Sequence, residues 1–116
     1  MNDQCIFCAI ANQKAPAEIL FEDDQFMAFR DIHPMAPVHV LVIPKVHYDS
    51  LNEVPESDAQ ILGDLLLHAK RIAKDLNLAE KGFRLMINTG KDGGQTVPHL
   101  HVHILGGKPH LPVQVG

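Results

Sequence analysis

Histidine alternates with aliphatic residues through Pro98-His99-Leu100-His101-Val102-His103-Ile104-Leu105, and the reading of this stretch decides the fold. A β-strand sends residues i, i+2 and i+4 to one face. As a strand, this stretch lines one side with three imidazoles about 7 Å apart and the other with Leu100, Val102 and Ile104. The aliphatic side is suited to packing on a helix. The imidazole side has no such use, and histidine is not a strong strand former. Three readings are open: ordinary half-exposed strand residues, a metal site with imidazole ligands, or covalent catalysis by one imidazole flanked by two that bind or protonate a phosphate.

Working outward, the loop Thr89–Thr96 enters this strand with Gly90, Gly93 and Gly94. Its backbone amides can approach an anion closely, and it delivers Gln95 and Thr96 beside the histidines, which favours the third reading. A strand over Phe83–Asn88 precedes the loop, so the two should pair antiparallel, with Asn88 facing the same sheet edge. Further upstream, Ile61, Leu62, Leu65, Leu66, Ala69, Ile72, Ala73 and Leu76 form an apolar stripe at helical period. The helix runs from about Ser57 to Leu76, with Ser57 and Gln60 as a capping box. His68 lies in the stripe and reads as core or subunit interface.

Val38–Ile43 is apolar, β-branched and stopped by Pro44, hence a buried strand, with Lys45 a solvated residue at its end. Asp31–Pro37 carries two prolines and is a loop. Ile19–Glu22 and Gln25–Phe29 are short strands around an acidic turn, and Cys5–Ala11 has a short helical pattern with Phe7 and Ile10 three apart. The fold class is α+β. An antiparallel sheet of about five strands carries one long helix on one face and a short N-terminal helix, in a single domain over residues 1–116.

Composition narrows the function. The net charge is −4, and the ten Lys and Arg residues are scattered, which argues against duplex nucleic acid as partner. Val40–Ile43, a strand-length apolar run, is far too short to span a membrane. Met1–Cys5 lacks the basic start and apolar core of a secretory signal, so a cytoplasmic location is expected. In that reducing compartment Cys5-Ile6-Phe7-Cys8 points to metal or redox chemistry rather than a disulfide, the alternative being two buried free thiols.

The segment from Gly93 to Gly107, Gly-Gly-Gln-Thr-Val-Pro-His-Leu-His-Val-His-Ile-Leu-Gly-Gly, resembles the histidine-triad nucleotide-binding proteins, the HIT family. Its closing Leu-Gly-Gly is similar to the Hint branch, the purine nucleoside phosphoramidases. Phe29-Arg30-Asp31-Ile32, Pro34 to His39 and Leu41-Val42-Ile43-Pro44-Lys45 fit the same family in order. The resemblance implies a HIT-like fold and hydrolysis of purine nucleoside 5′-phosphoramidates at the α-phosphorus through a nucleotidyl-histidine intermediate. A homodimer binding a purine nucleotide such as AMP or GMP is also implied, with no catalytic metal. The rivals are cleavage of dinucleoside polyphosphates and a nucleotide-binding regulatory module.

Residue by residue, the resemblance makes His101 the nucleophile, His103 the imidazole at the phosphate and His39 a fourth active-site histidine. Positive charge on His103 or His39 is one source of stabilisation for the anionic transition state. Thr96 and Asn88 match contacts to the phosphate or leaving group, and the backbone at Val97 a phosphate contact, with Gly94 and Gln95 beside it. Asp31 matches the acceptor of both ribose hydroxyls, and Phe7, Ile10, Phe29, Ile32 and Leu41 the walls of the purine pocket. A zinc-binding subset of these proteins implies a structural zinc on Cys5, Cys8, His47 and His99. His33 and His110 receive no role, and the tail Lys108–Pro112 lacks the tryptophan of some Hint proteins.

Overall fold

The computed structural model describes residues 4–109. The elements in chain order are α1 (Ile6–Ala11), β1 (Ile19–Glu22), β2 (Phe26–Arg30), β3 (Val38–Pro44), α2 (Ala59–Asp75), β4 (Arg84–Met86) and β5 (Val102–Gly106). The five strands form one sheet in the order β1-β2-β3-β5-β4, with every neighbouring pair antiparallel. The α+β architecture with one long and one short helix stands as expected. His110 and the rest of the tail lie outside the described residues.

The sheet is covered on both faces. Phe26, Ala28, Val40, Val42, Val102 and Ile104 pack with Leu65, Ala69, Ile72 and Ala73 of α2. Met27, Phe29, Leu41 and Ile43 point the other way and pack with Phe7, Ile10 and the two cysteines of the α1 segment. A strand buried on both sides needs no polar face, which is why β2 and β3 read as continuous apolar runs. The aliphatic face of the histidine stretch packs on α2, as its alternation predicts.

Several boundaries differ. The ladder of β5 begins only at Val102, so His99, Leu100 and His101 precede the strand. Pro98 has no N–H, and the amides of His99 and Leu100 donate to Val97 O (2.8 Å) and Tyr48 O (2.8 Å) instead of a neighbouring strand. β4 is likewise reduced to Arg84–Met86. Ser57 caps nothing: it lies in a 3-10 turn, Glu56–Asp58, and α2 starts at Ala59 after Asp58. The Asp58 carboxylate is engaged by the Tyr48 hydroxyl at 2.7 Å rather than by a helix amide. Lys45 is ion-paired with Glu22 at 2.6 Å. His68 stacks on Phe26 with centroids 4.4 Å apart and meets the Asp23 carboxylate at 2.9 Å, tying the β1–β2 turn to α2.

Candidate active site

A cleft of about 400 Å³ opens on the α1 side of the sheet. That volume suits a small-molecule ligand. Its apolar walls are Phe7 and Ile10 from α1, Phe29 from β2 and Leu41 from β3, all buried. Asp31 and the exposed Ile32 follow β2 along one border, and Thr96, Val97, His101 and His103 complete the lining. Ile6, Ala15–Ala17, Arg30 and His33 also line it, although sequence reasoning gave them no part. These carry no chemical signature. Only their position beside the apolar walls could have pointed to them.

Hydrogen bonds fix the proton on His101 and His103, which line the cleft, and on the buried His39 that His103 meets, because a carbonyl can only accept and an amide can only donate. His101 Nδ1 lies 2.6 Å from His99 O, so Nδ1 carries the proton and Nε2 keeps its lone pair. The Met35 amide donates to His39 Nδ1 at 3.0 Å, which puts the His39 proton on Nε2. That proton is donated to His103 Nδ1 at 2.9 Å, leaving His103 with a donating Nε2–H. The cleft thus holds one nucleophilic nitrogen and one donor on adjacent rings, whose centroids are 4.9 Å apart. The rings stand closer than the roughly 7 Å backbone rise between alternate residues of a strand.

Burial pushes all three imidazoles toward the neutral form: His103 down to about 4, with His101 and His39 lowered as well. The Asp31 carboxylate, 3.4 Å from His39 Nε2, opposes this only in part. At pH 7 His103, held by His39, therefore offers an N–H donor to a phosphate, and neither ring carries the positive charge the sequence reading allowed. Neutrality is also what a nucleophilic His101 requires.

Beneath the cleft, Cys5, Cys8, His47 and His99 bring their ligand atoms within 4.8 Å of one another. Cys5 Sγ stands 3.3 Å from His99 Nδ1, Cys8 Sγ 3.2 Å from His47 Nδ1, and the two Nδ1 atoms 3.2 Å apart. Ligands around a tetrahedral zinc are separated by about 3.3–3.8 Å. The proton positions are stronger support. His99 Nε2 faces Pro44 O at 2.8 Å and His47 Nε2 faces the Asp49 carboxylate at 2.6 Å, so both protons sit on Nε2. Two Nδ1 lone pairs then face each other and two sulfurs, an arrangement that a cation satisfies through all four atoms at once and that neutral rings satisfy only with two weak S–H donors. Asp31, His39 and His103 also cluster, but there the chain of N–H donors from Met35 onward accounts for the short contacts without a metal.

The remaining expected residues lie outside the cleft lining. Asn88 Nδ2 donates to Gly93 O at 2.7 Å, and the amides of Gly94 and Gln95 are bonded inside the loop to Lys91 O (3.1 Å) and Gly90 O (3.0 Å). The Gln95 side chain reaches Asp49 O at 2.6 Å and Val97 O at 2.9 Å while accepting from Gly90 N at 2.8 Å. These groups brace the loop.

A family model described as the HIT domain matches residues 12–110, which include His39, His47 and all three alternating histidines. The chain belongs to the HIT domain family. Among HIT relatives, the purine nucleoside phosphoramidase of Escherichia coli K12 is 42% identical over 113 residues, covering 97% of this chain and 95% of that protein. A histidine triad protein from Clostridium difficile superposes with a TM-score of 0.94 at 44% identity, over 98% of this chain and 99% of that one. A zinc-bound histidine triad family protein from Mycobacterium smegmatis has a TM-score of 0.83 at 33% identity, covering 96% and 80%. The HIT match begins after α1, so Cys5, Phe7 and Cys8 precede the matched segment.

Proposed function

We propose that this protein hydrolyses purine nucleoside phosphoramidates at the α-phosphorus, with His101 as the nucleophile. The observation that carries the reading is the 2.6 Å contact from His101 Nδ1 to His99 O, which reserves the Nε2 lone pair for the cleft. A relative named purine nucleoside phosphoramidase supports the substrate class. In the first step Nε2 bonds to phosphorus and the phosphorus–nitrogen bond breaks. The new imidazolium keeps its Nδ1 proton on the His99 carbonyl, and the departing amine takes a proton from solvent through Thr96, which lies exposed at the cleft. The donating Nε2–H of His103, held by His39, meets the non-bridging oxygens as negative charge concentrates there. In the second step water attacks phosphorus, His101 leaves with its lone pair restored, and a proton returns to solvent with the nucleoside monophosphate.

The base of AMP or GMP packs among Phe7, Ile10, Phe29 and Leu41, and the ribose hydroxyls donate to Asp31. Asn88, Gly94 and Gln95 act on the phosphate indirectly, by bracing the loop that carries Thr96 and Val97. Cys5, Cys8, His47 and His99 hold a zinc ion; closed by four protein ligands, it organises the fold and leaves the chemistry to the imidazoles. A thiolate site suits the reducing cytoplasm, and no helix of the described residues is long and apolar enough to cross a membrane. The chain forms a homodimer through the outer edge of β4 and the exposed Leu66 and Leu67 of α2.

The test is His101→Ala, which removes the nucleophile and spares the base-binding walls. Turnover of adenosine 5′-phosphoramidate should drop by several orders of magnitude, while AMP affinity measured by calorimetry persists. Wild-type turnover by this variant would refute the mechanism.

A further inference from the structure

The cluster of two cysteines and two histidines touches the nucleophile by two routes. His99 supplies a ring nitrogen to the cluster and, through its carbonyl, the acceptor that fixes the His101 proton at 2.6 Å. The second route is α1. Cys5 and Cys8 flank Phe7, whose ring stands edge-on to His101 with centroids 5.1 Å apart and an interplanar angle of 87°. A six-residue helix is far too short to persist alone, so its place depends on what anchors it. Its anchors are the buried Phe7 and Ile10 and the two sulfurs.

The surrounding chain converges on the same frame. His47 begins the segment whose Tyr48 carbonyl accepts from Leu100 N (2.8 Å) and whose Asp49 carbonyl accepts from Gln95 Nε2 (2.6 Å). Both donors belong to the stretch that leads into and around His99. His99 itself is completely buried and held on its far side by Pro44 O.

We propose that Cys5, Cys8 and His47 are positioning residues for the reaction: as co-ligands of His99 they hold its carbonyl, and Phe7 beside it, where His101 is kept as the Nδ1–H tautomer. The proposal rests on the nucleophile and zinc readings above. It adds that loading of the centre sets turnover, with His99 as the ligand whose carbonyl meets the nucleophile.

His47→Ala is the decisive variant. His47 does not line the cleft, its loss leaves both sulfurs and His99 in the chain, and Phe7 keeps its packing on Phe29 in the nucleotide wall. In the zinc-loaded wild-type protein, long-range ¹⁵N NMR of the His101 ring should show one tautomer with the proton on Nδ1. In His47→Ala, zinc content should fall, the His101 nitrogens should average between tautomers, and kcat should drop by about 10–100-fold with little change in KM. Added imidazole, which can occupy the vacated ligand position, should restore both the spectrum and kcat. A role limited to stability would move neither the tautomer nor the kcat–KM split.

A folded, zinc-free His47→Ala protein with an unchanged His101 spectrum and wild-type kcat overturns the proposal. If that variant does not fold, zinc is removed from the wild-type chain with a chelator and returned stepwise. The Nδ1–H signature must then follow the zinc equivalents, and its independence of zinc overturns the proposal equally. Wild-type protein that binds no zinc at these ligands also overturns it, while leaving the nucleophile reading, tested separately by His101→Ala, untouched.

Discussion

Burial that keeps His103 neutral down to about pH 4 has a consequence for stability as well as for chemistry. The unfolded chain takes up a proton at the ordinary histidine value of 6.5, and the folded chain refuses it until about 4. Between those values the unfolded state binds more protons, so stability must fall as pH falls. The full shift at His103 corresponds to about 2 kcal/mol of loss between pH 7 and pH 5, which solvent screening of this half-buried ring reduces to about 1 kcal/mol, and His39 acts with the same sign. Urea titrations at the two pH values should show this decline, and His103→Asn should flatten it by about that amount; an equally steep decline in the variant would exclude His103 as its source. Asp31 makes a second residue-scale case. Its Oδ1 already accepts from His33 N at 2.8 Å, which holds the carboxylate toward the cleft. A deoxynucleotide leaves an acceptor without its partner, so 2′-deoxyadenosine monophosphate should bind more weakly than AMP by about 1–3 kcal/mol in calorimetry. Equal affinities would remove Asp31 from ribose recognition.

Between residue and domain, the end of β5 shows how tightly the elements are fitted. Gly107 has φ +93°, and a Cβ there would stand 2.9 Å from Pro37 Cβ. Gly107→Ala should therefore cost about 1–3 kcal/mol in a denaturation experiment. At Gly106 a new Cβ would meet only the flexible end of Leu78, at 2.9 Å from Cδ2, so Gly106→Ala should cost less. The reverse order would mean that the β5–β3 corner is not built as described. Which elements exist was legible because each has a strong periodic or β-branched signal: α2 by its stripe, β3 by its apolar run ended at Pro44. Boundaries were not, because competing partners set them. The Tyr48 hydroxyl engages Asp58 at the start of α2, and Tyr48 O takes the Leu100 amide before β5 can begin. Leu66 belongs to the sequence stripe yet is 47% exposed, since the sheet covers a narrower arc of α2 than the stripe spans.

Across the whole molecule, one sheet is packed on α2 for stability and on α1 for the site. Local patterning made the first packing readable, whereas the second depends on residues far apart in the chain. Cys5 and His99 are 94 positions apart, and nothing local to either shows that they meet. The family resemblance identified their partnership, and the tautomers then gave it a physical reason. For the same reason Gln95 read as a ligand contact: its bond to Asp49 O crosses 46 positions and leaves no trace in the spacing of the loop. What joins these scales is the assignment of His101 as the atom that takes the nucleotidyl group. The direct test is to quench wild-type protein in alkaline denaturant during turnover of adenosine 5′-phosphoramidate and map the modified peptide by mass spectrometry. One adenylyl group per chain on His101 is the predicted result, because a phosphorus–nitrogen adduct survives mild alkali; an adduct mapped to His99 or His103 would contradict the assignment.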